Sequence, residues 1–186
     1  MWGVGTRLVT GHPQPALGGV YKLSALRAPG EAGWRRMVKL SDTPIKTSTP
    51  GILQVRRLRE RATGMARLDV VYDEDFGPPP PCSNSNGPKT AMAANIDPLR
   101  DEQVELPTLG EGGEAVAEDL LQPILRAGAR VWTPPPITES RERALAELAS
   151  LPAAVRDLDE PATYPVAIES RLAACKRELI ARMRAH

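Results

Sequence analysis

The chain has 186 residues and a formal net charge of +1; it is 41% apolar and 25% charged. These are ordinary globular values, and the near-neutral charge gives no reason to expect nucleic acid or an anionic membrane as partner. Nineteen prolines and a single phenylalanine, Phe76, limit the core this chain can build, because aromatics supply large buried area per side chain. No apolar run is long enough to span a membrane, and no charged-then-apolar signal pattern opens the chain. Cys82 and Cys175 stand far apart without metal-ligand spacing and are read as free thiols of a reducing compartment. The expected location is cytoplasmic.

The first stretch, Gly3-Val4-Gly5-Thr6, is the one with chemistry in it. Two glycines one residue apart let the backbone approach a ligand. The following hydroxyl and the flanking amides can form a small anion-binding concavity. Taken alone, such a pair is more often a tight turn. His12 precedes Pro13 in a turn-like context with no acid or nucleophile at a recognisable spacing, and is read as an exposed loop histidine, since tuned catalytic groups need burial and partners.

Alternation predicts a strand from Gly19 to about Arg27 and a second from Trp34 to Leu40. Ser41 to Gly51 reads as a polar loop, Ile52 to Leu58 as a third strand and Arg67 to Tyr72 as a fourth. Four short strands joined by turns suggest an antiparallel meander with one face buried, closed by Asp73-Glu74-Asp75-Phe76. The basic residues Lys39, Lys46, Arg56, Arg57, Arg59 and Arg61 form a loose cluster. Anionic leaving groups could use such charge, but the favoured reading is a solvated strand face balanced by nearby acids. Gly77 to about Ala94, with Pro78 to Pro81 and Cys82-Ser83-Asn84-Ser85-Asn86-Gly87-Pro88, reads as a linker or insertion without regular structure. Gln103 to Leu106 is a possible short strand. Composition would make Glu114 to Leu121 helical, although Pro123 argues against continuing it. Thr138 is the expected N-cap of a helix to about Ser150, with Ala144, Leu145, Leu148 and Ala149 facing the core. A second helix, Ser170 to about Arg184, puts Leu172, Cys175, Leu179, Ile180 and Met183 on one stripe.

Several blocks resemble the nicotinate phosphoribosyltransferase family. They are Gly-Val-Gly-Thr at 3–6, Leu17-Gly18-Gly19-Val20-Tyr21-Lys22-Leu23, Lys39-Leu40-Ser41-Asp42 with Pro44 and Lys46, and Pro50-Gly51 with Gln54-Val55. Further on come Glu118-Asp119-Leu120-Leu121, Glu147-Leu148-Ala149-Ser150-Leu151-Pro152, Tyr164-Pro165-Val166 and Lys176-Arg177-Glu178-Leu179-Ile180. The blocks keep the family's order and match its C-terminal part only. The resemblance favours a strand from about Leu120 to Arg126, a turn at Ala127-Gly128 and a return through Val131-Trp132. It implies an α+β chain: an antiparallel meander, a hairpin and two C-terminal helices, the C-terminal part of a type II phosphoribosyltransferase whose α/β barrel is mostly missing. The expected regions are a remnant of the barrel end at 1–19, a β domain at 20–76, the proline-rich stretch at 77–94 and a hairpin-and-helix region at 95–186.

The family joins nicotinate to PRPP, giving nicotinate mononucleotide and pyrophosphate, with ATP hydrolysis and Mg, and works as a homodimer. By this resemblance Gly3, Gly5 and Thr6 hold the 5′-phosphate of PRPP or product, as uncharged donors at a barrel end suit a dianion. Lys46 falls on a family-like position. The family's phosphorylated histidine, its nicotinate-binding residues and most of its barrel precede these blocks, and neither His12 nor His186 matches that histidine. No catalytic residue or metal ligand is therefore assigned, and neither ATP nor Mg is held by a motif in this chain. The expectation is a fragment, a split-gene half or a misplaced start, inactive alone and needing a chain that carries the barrel. The alternative is a non-catalytic interaction module derived from the same domain.

Overall fold

The computed structural model describes residue 5 and residues 21–41, 47–79 and 115–185. The expected strand at Gln103 to Leu106 and most of the proline-rich stretch lie outside them, as do His12, Lys46, Cys82 and His186.

The architecture is mixed α+β with two helices in the second half, as the sequence indicates, except that an unexpected strand of the central sheet lies between the helices. Eight strands are described: β1 (Ala25–Leu26), β2 (Arg35–Arg36), β3 (Leu53–Glu60), β4 (Ala66–Asp73), β5 (Ala115–Asp119), β6 (Leu125–Arg126), β7 (Ala129–Arg130) and β8 (Val166–Ile168). Helix α1 spans Ile137–Ala149 and α2 spans Ser170–Arg184.

The four-strand meander is corrected in its membership. β1 and β2 pair only with each other, over two residues each. The central sheet has the order β5-β3-β4-β8, with β8 parallel to β4 and the other pairs antiparallel. Its strands thus come from both sides of the 77–94 stretch. The alternation is real in the sequence, but of the described residues 21–27 and 34–40 all except Val38 are exposed or half-buried. Alternation without a surface to bury against does not specify a register.

Both faces of the sheet carry buried residues, rather than one. Leu58 and Leu68 stand opposite each other across the β3–β4 ladder and form one cluster with Val70 and Ala167. Ile168, Leu172 and Ala173 form the other, against Leu53, Val71 and Phe76. The register slips where Leu58 pairs with Leu68 but Arg59 with Ala66, so Arg67 is the extra residue and β4 is the strand that bends there.

The segment 115–119 is a strand, not a helix: it adds to the open edge of β3, with Asp119 opposite Arg56. The hairpin is as expected, with its turn at Ala127 (φ 46°) and Gly128 (φ 79°), but its paired rungs are only 125–126 with 129–130. Two consecutive positive φ values give the turn a twist that matches a two-residue hairpin.

Helix α1 starts one residue before Thr138. Pro136 occupies the N-cap, and no side chain caps the helix. Its expected core face is also corrected: α1 buries no residue, and Leu145 and Leu148 are 56% and 52% exposed. Helix α2 has the expected bounds, while its inward stripe centres on Leu172, Ala173 and Lys176, leaving Cys175, Leu179 and Ile180 half-buried and Met183 exposed. Glu169 caps α2, its carboxylate accepting from the amides of Arg171 and Leu172 at 3.1 Å each.

Candidate functional site

Of the three residues expected to hold phosphate, Gly5 alone lies among those described. It is exposed, and no described atom comes within 4 Å of where its Cβ would sit. Gly3 and Thr6 lie outside the described residues.

The basic cluster can be followed atom by atom. Arg56, opposite Asp119 in the register, donates to it through Nε and Nη2, both at 2.8 Å. Arg57, directly across from Asp69, donates to that carboxylate at 2.8 and 2.7 Å. Its Nη1 reaches Glu147 of α1 at 3.0 Å. Arg59 points to the same face two residues on. It donates to both oxygens of Glu147, at 2.9 and 2.8 Å, to Glu118 at 3.2 Å and to the Ser150 hydroxyl at 2.9 Å. Tyr164 completes the row, its hydroxyl donating to Asp69 at 3.1 Å.

This arrangement sets the electrostatics. Bonding to Asp69 raises the Arg57 guanidinium's already high pKa. Arg59, whose Nη2 donates to both oxygens of Glu147, holds that carboxyl below the usual range, and Arg56 does the same for Asp119. Burial, with Asp69 beside it, pushes the Tyr164 phenol well above its ordinary value. Forked arginine–carboxylate pairs are strong and geometrically specific. Here they consume the charge that a phosphate would need, so the three arginines bind this chain's own acids. The balance by nearby acids is as expected from the sequence, but the solvated face is not: the three arginine side chains are 14–17% exposed. Arg56 lies on the opposite face of β3 from Arg57 and Arg59, and the bonds of the three join β3, β4, β5 and α1.

A second polar centre lies where β1 and β2 meet the sheet. Asp73 is fully buried. It accepts from Arg36 Nε at 2.7 Å and from the Asp75 amide at 3.0 Å. The Arg36 guanidinium also lies 4.3 Å from the centre of the Phe76 ring. Gly51, at φ 106°, packs so tightly that a Cβ there would overlap the Asp73 carboxylate. Nearby, the Lys39 amide donates to the Ser48 hydroxyl at 2.7 Å and the Ser48 amide to the Lys39 carbonyl at 3.1 Å. Lys39 and Ser48 are therefore held to each other by two hydrogen bonds.

Sequence reasoning singled out neither Asp73 nor Glu147. The available signals were facing strands with arginine on one and aspartate on the other, and a glycine ahead of β3 whose role shows only once Asp73 is placed. Among the described residues, no three His, Cys, Asp or Glu side chains converge to hold a metal. Cys175 is a free thiol whose pKa is raised by burial. No described helix is long and apolar enough to cross a membrane.

Comparison with known proteins places this framework. A family model described as "Nicotinate phosphoribosyltransferase C-terminal domain" matches residues 54–176. The chain is 31% identical over 180 residues to the nicotinate phosphoribosyltransferase of Mus musculus, covering 97% of this chain and 30% of that one. It is 41% identical over 76 residues to that of Bacillus subtilis, covering 40% of this chain and 15% of the other. The crystal structure of human nicotinic acid phosphoribosyltransferase aligns with a TM-score of 0.47 and 22% identity over 72% of this chain and 24% of that one. The chain thus spans less than a third of the length of these relatives. The matched region contains all but the first residue of β3, the whole of β4, β5 and β8, and the first seven residues of α2, and with them the arginine–carboxylate row. The chain belongs to the nicotinate phosphoribosyltransferase family, through its C-terminal domain.

Proposed function

We propose that the chain serves NAD biosynthesis as the C-terminal part of a nicotinate phosphoribosyltransferase. The complete enzyme joins nicotinate and PRPP to give nicotinate mononucleotide and pyrophosphate, with ATP hydrolysis. The observation that carries this reading is the family match across residues 54–176. In the complete enzyme Gly3, Gly5 and Thr6 hold the 5′-phosphate of PRPP, and ATP and Mg act with the barrel. The carboxylates of Asp69, Asp119 and Glu147 are engaged with arginines. The described residues contribute a scaffold: a sheet cross-linked by ion pairs.

On this reading, the 186-residue chain by itself forms no nicotinate mononucleotide, and activity requires a barrel in the same chain or in a partner chain, as a homodimer or a mixed assembly. The test is to isolate the native species bearing this sequence, measure its intact mass, and assay it with nicotinate, PRPP, ATP and Mg beside the recombinant 186-residue chain. Turnover by the native species alone supports the proposal. Turnover by the recombinant chain refutes inactivity in isolation. No turnover by either removes the enzyme reading and favours the interaction module, for which the exposed apolar side chains of the hairpin and α1 are the supporting observation.

A further inference from the structure

Between Leu121 and α1 the chain leaves the sheet, makes the β6–β7 hairpin, crosses Pro134-Pro135-Pro136 and returns as a helix. None of residues 121–149 is buried, and only Trp132, Pro135 and Glu147 are even half-buried. A segment that excludes so little water from its side chains gains little from the hydrophobic effect. What holds it is polar and lies at its two ends, on β3 with one backbone bond to β4.

At the first end the buried Gln54 side chain makes a reciprocal pair with Leu121, donating to its carbonyl at 3.0 Å and accepting from its amide at 2.9 Å. At the second end, Arg57 and Arg59 grip Glu147 with three N–H donors, and Arg59 also reaches the Ser150 hydroxyl. The Ser150 carbonyl accepts from the Ala66 amide of β4 at 2.8 Å. Between these anchors Ile124, Leu125, Val131, Ile137 and Leu145 stand 46% to 84% exposed.

We infer that residues 121–149 form a strap fastened to β3 by Gln54 at one end and by the Arg57–Glu147–Arg59 clasp at the other, and that opening the clasp frees α1 from the sheet while the sheet stays folded. Local opening of this kind belongs to segments with few buried apolar contacts. The sheet does not need the strap: its buried clusters come from β3, β4, β8 and α2. The clasp is separable from helix formation itself, because alanine is the best helix former and can replace Glu147 without a propensity cost.

The experiment is amide hydrogen exchange on the full 186-residue chain, followed by mass spectrometry peptide by peptide. Glu147→Ala is expected to speed exchange across α1 by about tenfold or more, the scale of one lost charge-assisted contact, with β3, β4 and α2 unchanged. A Leu145→Gln/Leu148→Gln double variant, which keeps the clasp, is expected to leave α1 exchange at the wild-type rate. Two results overturn the inference. If Glu147→Ala leaves α1 unchanged, or loosens α1 and the sheet together, the clasp is not a separate fastening. If the double leucine variant speeds α1 as much as Glu147→Ala does, the apolar face is covered by another surface, and that surface holds the helix.

Discussion

Replacing Gly51 with alanine tests the junction between β1–β2 and the central sheet. The substitution acts twice. At φ 106° a residue with a Cβ is strained, at a cost of roughly 1–3 kcal/mol. The new methyl also meets the Asp73 carboxylate, whose Cγ would be 2.8 Å away. Asp73 is fully buried and cannot swing into water, so it must give up its Arg36 or Asp75 bond, which costs a further ~1–3 kcal/mol. We expect a loss of about 4 kcal/mol, a large share of the 5–15 kcal/mol typical of a domain. Urea titration followed by far-UV circular dichroism measures it, and the slope must be shared with wild type if the change is one of stability alone. The decisive control is the same substitution in an Asp73→Ala background, where the obstacle is gone. There Gly51→Ala should cost only the backbone term, leaving a coupling of more than about 1 kcal/mol. If the two substitutions add within about 0.5 kcal/mol, Gly51 is required for its φ and not for its closeness to Asp73.

Acidification should free α1 through Glu147 and weaken the hold of β5 on β3 through Asp119. Arg59 lowers the folded pKa of Glu147, and Arg56 that of Asp119, from ordinary values of 4.5 and 3.8. The stability they contribute is therefore complete above those values and is lost as pH falls through and below them; the denaturation midpoint followed from pH 7 to pH 3 should hold and then drop. Glu169→Ala removes the cap of α2, and thermal unfolding should show a loss of about 1–2 kcal/mol, with Glu169→Gln recovering part of it. The Cys175 thiol, its pKa raised by burial, should react slowly with a disulfide reagent in native buffer and fast in urea. Equal rates would mean the α2 face is open.

What was legible in the sequence was what depends on local pattern. The periodicity of Leu53–Glu60 and Ala66–Asp73 marked strands with bounds within two residues, and Ser170–Arg184 was legible as a helix from its spacing alone. Pairing was not legible, because it depends on which distant segment supplies the missing edge. The segment 115–119 has helix-forming alanines and glutamate, yet it pairs with β3 because its acids meet Arg56 and Arg59 there. Leu145 and Leu148 lie one helical turn apart, and periodicity cannot say whether a surface exists for them to meet. The electrostatic balance around Arg56, Arg57 and Arg59 was foreseen, but not Glu147, whose role depends on α1 returning to β3. Glu169 sat one residue ahead of a recognised helix start and could have been read as its cap.

The parallel pairing of β8 with β4 bears on the order in which this chain can fold. β3 and β4 are neighbours in sequence, joined by a short turn, so their ladder closes a small loop and forms early. Val166, which must settle opposite Asp69, is made long after its partner and closes a far larger loop. Through that interval β4, with Val70 and Val71 along it, has an unpaired edge rich in β-branched and apolar residues, the kind that templates pairing between chains. A nascent or truncated chain lacking Val166–Ile168 would offer that edge to its neighbours. Docking of β8 therefore covers that edge of β4.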